Sequence, residues 1–131
     1  MNKLQQYLRD DRGASAAEFA LVTVPFFGLV LAIIGGAMMF YSNQSLQYAT
    51  QKAARYYSVQ TTNANGTPPT TTVVQTYAKN AYTGPGISPT FTAARGGCGA
   101  NGFQVTANAT FPLNTGLINL SVPLKAHACF P

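Results

Sequence analysis

Gly13-Ala14-Ser15-Ala16-Ala17-Glu18-Phe19 leads into a run, residues 19–41, that contains no Asp, Glu, Lys or Arg. As a helix this run of about 23 residues is about 35 Å long, enough to cross a bilayer with some tilt. Glu18 stands at its leading edge, and Arg9-Asp10-Asp11-Arg12 precede Gly13. A carboxylate taken out of water without a partner costs several kcal/mol, so an acid leading into an apolar helix calls for a cation nearby. Cleavage after Gly13 would create one. The new α-amine of Ala14, with an ordinary pKa of about 7.7–8.0, would lie one helical turn before Glu18.

This arrangement resembles the processing site of type IV prepilins: a short charged leader ending in Gly, then Glu fifth and an aromatic, here Phe19, sixth. The longer string Asp11-Arg12-Gly13-Ala14-Ser15-Ala16-Ala17-Glu18-Phe19-Ala20-Leu21-Val22, with Pro25 behind it, is similar more narrowly to the TadE-like family. Those are pilin-like proteins of bacterial tight-adherence (Tad/Flp, type IVc) pilus systems. The resemblance covers residues 9–60, less than half of the chain. It implies a cut by a prepilin peptidase between Gly13 and Ala14, and assembly with other pilin subunits by the Tad machinery. It implies a place in the bacterial inner membrane, then in the pilus or its base, with a role in pilus biogenesis, adhesion or surface attachment. Major Tad subunits are typically far shorter, so a minor pilin (pseudopilin) is the expected member. Two other readings stay open: a membrane-tethered periplasmic accessory or binding protein that never polymerises, and a secreted domain whose signal peptide is cut near Ala37.

Composition agrees with a chain that lives in lipid or against neighbours. Only 8% of residues are charged and 47% are hydrophobic, with no Trp, against about 25% charged in ordinary soluble domains. The net charge is +5. Lys3, Arg9 and Arg12 flank the N-terminal side of the apolar run, whereas the other side stays uncharged until Lys52 and Arg55. The positive-inside rule then favours the N-terminus in the cytoplasm and everything after Tyr41 outside. Lys52, Arg55, Lys79, Arg95 and Lys125 are scattered in the sequence, without the cluster a nucleic-acid surface needs.

Further along, Pro25 lacks an N–H and opposes the carbonyl of Leu21, so a kink or softened turn is expected there. Gly28, Gly35 and Gly36 offer small surfaces to another helix, and Phe40 with Tyr41 suits an interfacial anchor. Leu46, Ala49, Ala53 and Tyr56 share one face and predict that the helix continues to about residues 57–60. Turn and linker residues 61–69 follow. Residues 72–82 predict a short helix with Val73, Val74, Tyr77, Ala78 and Ala81 as its stripe and Thr70 or Thr71 as cap. The segment from Gly84 through Gly102 reads as irregular. Residues 103–111 alternate apolar and polar, as do Leu120, Val122, Leu124, Ala126 and Ala128, which predicts an antiparallel hairpin around a loop at residues 112–118.

Phe111 opposite Asn119 would put Cys129 opposite Asn101, close to Cys98 in its Gly-rich turn. A Cys98–Cys129 disulfide is therefore expected in an oxidising compartment, closing about 30 residues and stapling a hairpin that is marginal alone. The domains read as a leader (1–13), a transmembrane and pilin-like helix (14–60) and a small extracytoplasmic domain (61–131). The fold class is α+β.

Glu18 would be the only acid left after cleavage, and His127 is the only histidine. No carboxylate pair, nucleophile–base set or phosphate loop can be assembled. Cys98, His127 and Cys129 lack the spacing of a tetrahedral metal motif. The chain is read as a non-enzyme without cofactor, metal, nucleic acid or small-molecule substrate.

Overall fold

The computed structural model describes residues 11–99, 102–114 and 119–131. Leader positions 1–10, residues 100 and 101 and loop residues 115–118 lie outside the described residues, and the expected pairing of Cys129 with Asn101 falls among them. The elements run α1 (Asp11–Asn63), α2 (Thr71–Ala81), β1 (Thr90–Arg95), β2 (Phe103–Asn114) and β3 (Asn119–Phe130). The three strands form one antiparallel sheet in the order β1-β2-β3. A first compact unit ends at Gly35 and a second runs from Gly36 onward. The long apolar N-terminal helix followed by a small disulfide-bonded α+β part is the fold class expected.

In the second unit α1 turns one stripe inward. Leu46, Ala49, Ala53 and Ala54 are fully buried, and Ser42 and Thr50 lie in the same stripe. The next member is Tyr57, not Tyr56. Tyr57 is 4% exposed and packs on Phe103, with ring centroids 4.6 Å apart. Tyr56 turns aside and stacks on Tyr77 of α2 at 4.2 Å. A step of four from Ala53 overshoots a full turn by about as much as a step of three falls short, so spacing alone leaves the two tyrosines equivalent.

The helix also outlasts the expected end near residues 57–60. Thr61 and Thr62 return their hydroxyls to the carbonyls of Tyr57 and Ser58, at 2.8 and 3.1 Å. Termination waits for Asn65 and Gly66, which adopt φ of 54° and 84° and let Gly66 N–H reach Thr61 O at 2.8 Å. In α2 only Val74 and Ala78 are buried, and Val73 is exposed. Thr70 holds the N-cap position without a side-chain cap hydrogen bond.

The sheet departs from the sequence reading twice. First, β1 arises where an irregular segment was expected. Phe91 and Ala93 point inward while Thr90 and Thr92 point outward, and the strand pairs from Thr90↔Asn108 to Arg95↔Phe103. Second, the hairpin register is Asn114↔Asn119, so Phe111 faces Val122 and Cys129 faces Gln104. The expected register was wrong by an odd number of residues. It would have set each apolar side chain against a polar one, because side chains alternate strictly between faces. In the observed pairing Val105 meets Ala128, Ala107 meets Ala126 and Ala109 meets Leu124, all on the core face. Pro112 is tolerated within β2 because β1 pairs only as far as Asn108.

Hydroxyl groups join the α2 exit to α1. Thr83 N–H donates to Ser45 Oγ at 2.9 Å, and Thr83 Oγ1 lies 3.2 Å from Ser45 Oγ and 3.4 Å from the Tyr41 hydroxyl. Beside them Ser42 Oγ and Tyr82 Oη are buried without completing a hydrogen bond. Burial raises the Tyr82 pKa above its ordinary 10.0, partly offset by the nearby Ser42 hydroxyl. A phenol with a raised folded pKa contributes stability below the unfolded value and loses it as pH climbs through the folded one. The melting temperature should therefore fall above pH 10, and Tyr82→Phe should flatten that fall while changing neutral-pH stability little. An alkaline thermal melt of both proteins checks this; identical slopes would remove Tyr82 as the cause.

Candidate functional site

The first unit presents a helix built for company. The most apolar 18-residue window of α1 has mean hydropathy 2.3, and none of it is buried within the chain. A core helix of the same composition would be mostly covered. Here Phe19, Leu21 and Val24 are each more than 70% exposed, and Phe26, Phe27 and Leu29 are exposed with them. The helix is long and apolar enough to cross a membrane, and this segment supports a membrane-anchored protein. Space is open beside Gly28 and Gly36, where an added Cβ would meet nothing within 4 Å. Phe40 and Tyr41 are exposed on α1 beyond Gly36, as an interfacial pair requires.

Gly13 and Ala14 fall within the first turn of α1, and Glu18 follows Ala14 by one turn on the same face. Helical backbone thus begins before the expected cleavage point instead of after it. Glu18 is exposed. Phe19 O accepts from Thr23 Oγ1, 2.6 Å away, so that hydroxyl is satisfied inside the apolar stretch. Pro25 sits inside α1, and the helix continues through it.

In the second unit Cys98 and Cys129 form a disulfide with Cα atoms 5.8 Å apart, within the usual range. The bond arises although Cys129 pairs with Gln104, because the turn at residues 96–99 doubles back toward β2. Gly96 and Gly99 take φ of 87° and 101°, and Gly96 N–H donates to Gly102 O at 2.8 Å. His127 Nε2 lies 3.5 Å from Cys129 Sγ. The three donors cluster within 4.8 Å, but both sulfurs are bonded to each other and cannot act as thiolate ligands.

One arrangement was not legible in the sequence. Lys52 and Arg55, read there as part of a scatter, line a groove with residues 127–130 at the end of β3. Only the α1–sheet packing brings these segments together. The nearest signal was the spacing of Tyr48, Lys52 and Arg55 along one helix flank.

A family model described as TadE-like protein matches residues 13–55, a third of the chain, starting at Gly13 and ending within α1. No curated protein and no solved structure matches. The match bears out the resemblance read from the N-terminal motif.

Proposed function

Taking residues 13–55 as TadE-like, we propose that this chain is a minor pilin (pseudopilin) of a tight-adherence pilus. The exposed apolar half of α1 carries the reading. It enters the inner membrane with the N-terminus in the cytoplasm and the second unit outside. A prepilin peptidase then removes the leader after Gly13, and the helix packs among other pilin helices under the Tad machinery. The surface of the second unit faces outward, where adhesion or attachment takes place. A repeated, non-closing contact of this kind builds filaments. The role is structural.

Gly13 is the last leader residue because the peptidase must accommodate a residue without a side chain beside the bilayer. Gly13→Val should leave a membrane-bound precursor longer by the leader. N-terminal sequencing and gel mobility of protein from its host check this. The parent should begin at Ala14; a parent beginning at Met1, or a Gly13→Val protein of mature size, would end the processing hypothesis.

A further inference from the structure

The end of the sheet at β3 is open. In the order β1-β2-β3, no strand among the described residues pairs with the outer edge of β3. Natural edges are blunted by proline and by charge. The middle of β3 has both, at Pro123 and Lys125, but residues 126–130 have neither. Ser58 Oγ donates to Pro131 O at 2.8 Å and pins the end of this half to α1.

Against the unblunted half stands a flank of α1 carrying Tyr48, Gln51, Lys52 and Arg55. With residues 127–130 they enclose a groove of about 650 Å³. It is bounded by the last residues of the edge strand β3 on one side and by α1 on the other. The charge is one-sided. All three acids of the chain, Asp10, Asp11 and Glu18, precede residue 19. Lys52 Nζ rests over the rings of Tyr48 and Tyr77, 5.6 and 5.9 Å from their centroids. Arg55 is exposed, and the second unit contains no carboxylate side chain to pair with it.

We propose that this groove takes an extended acidic peptide segment of a partner protein, added as a fourth strand beside β3. An open edge offers N–H and C=O groups at strand spacing, which a peptide main chain satisfies. Alternate residues of the incoming strand, about 6.6–6.8 Å apart, face α1. Carboxylates at two such positions meet Lys52 and Arg55, and the residues between them face away from α1. A second unit from another copy does not fit, since it brings no Asp or Glu. The proposal stands independently of the pilin reading.

The test uses the full chain in a non-ionic detergent and three probes: a labelled heptapeptide alternating Glu and Val, its Gln/Val twin, and polygalacturonate. The Glu/Val peptide should bind with an affinity that falls with salt, and the Gln twin at least tenfold more weakly. Lys52→Glu with Arg55→Glu should lower binding at least tenfold, Lys52→Gln with Arg55→Gln by less, and Lys79→Glu on α2 not at all. Retention of the disulfide and of the thermal melt shows that each variant is folded. Bound peptide should slow amide hydrogen exchange within residues 127–130. Equal binding by the Gln twin, binding that leaves those amides unprotected, or no binding at millimolar peptide would overturn the proposal. Stronger binding of polygalacturonate without amide protection would replace it with a carbohydrate site.

Discussion

Glu18→Gln should yield a protein that inserts and is cut after Gly13, yet is depleted at least tenfold from the sheared pilus fraction relative to the membrane fraction. Glu18 and Ala14 lie one turn apart on α1. At a wet membrane edge, pairing between the Ala14 amine and this exposed carboxylate is screened and worth little. Enclosure by neighbouring helices changes that. Lowering the effective dielectric from about 80 to about 20 raises the attraction at a given distance about fourfold. The same enclosure makes an unpaired charge costly, so the amine of one subunit seeks the carboxylate of its own chain or of the next. Gln keeps the shape and removes the charge, which isolates this term. Immunoblots of sheared and membrane fractions measure it. Equal partition of variant and parent would show that the pairing does not direct assembly, and would favour the plain tether.

Loss of the disulfide should have the largest effect on the second unit. The bond joins residues separated by 31 positions, and chain entropy assigns such a closure about 3–4 kcal/mol. Small domains have only about 5–15 kcal/mol in all. Cys98→Ser with Cys129→Ser should therefore lower the melting temperature on the order of 20 °C. Membrane insertion should be unaffected, because the apolar half of α1 makes no use of the bond. Mass spectrometry without reduction should find the Cys98 and Cys129 peptides joined in the parent. Freely alkylated thiols in native material, or a double variant that melts within a few degrees of the parent, would refute the staple.

The helical part of this fold is written in the sequence at short range. Residues 19–41 declare themselves by lacking charge, and Leu46, Ala49 and Ala53 by spacing. The family motif lies wholly inside that region. Long-range placement was harder. Residues 90–93 alternate as residues 103–111 do, but Ala94 breaks the pattern, and the Gly and Pro residues around them hid a strand of six. The hairpin register could have been found by requiring Val105, Ala107 and Ala109 to share a face with Ala128, Ala126 and Leu124. Counting outward from a guessed turn ignored that parity. The groove between α1 and β3 had no local signature. It exists only because helix and sheet edge meet, and pairing patterns say nothing of what lies beneath an edge.

The disulfide also sets how far this protein can be stretched. Under tension applied at residue 131, a chain without the bond could pay out its whole sheet. With Cys98 and Cys129 joined, the 30 residues between them are bypassed, and β2 and nearly all of β3 stay slack while the load passes through sulfur. The extensible length is reduced to the connection between α1 and Cys98, which includes α2 and β1. For a chain anchored through its apolar helix and loaded at residue 131, the bond is a strain limiter. The strands beside the groove would keep their form while the linker gives.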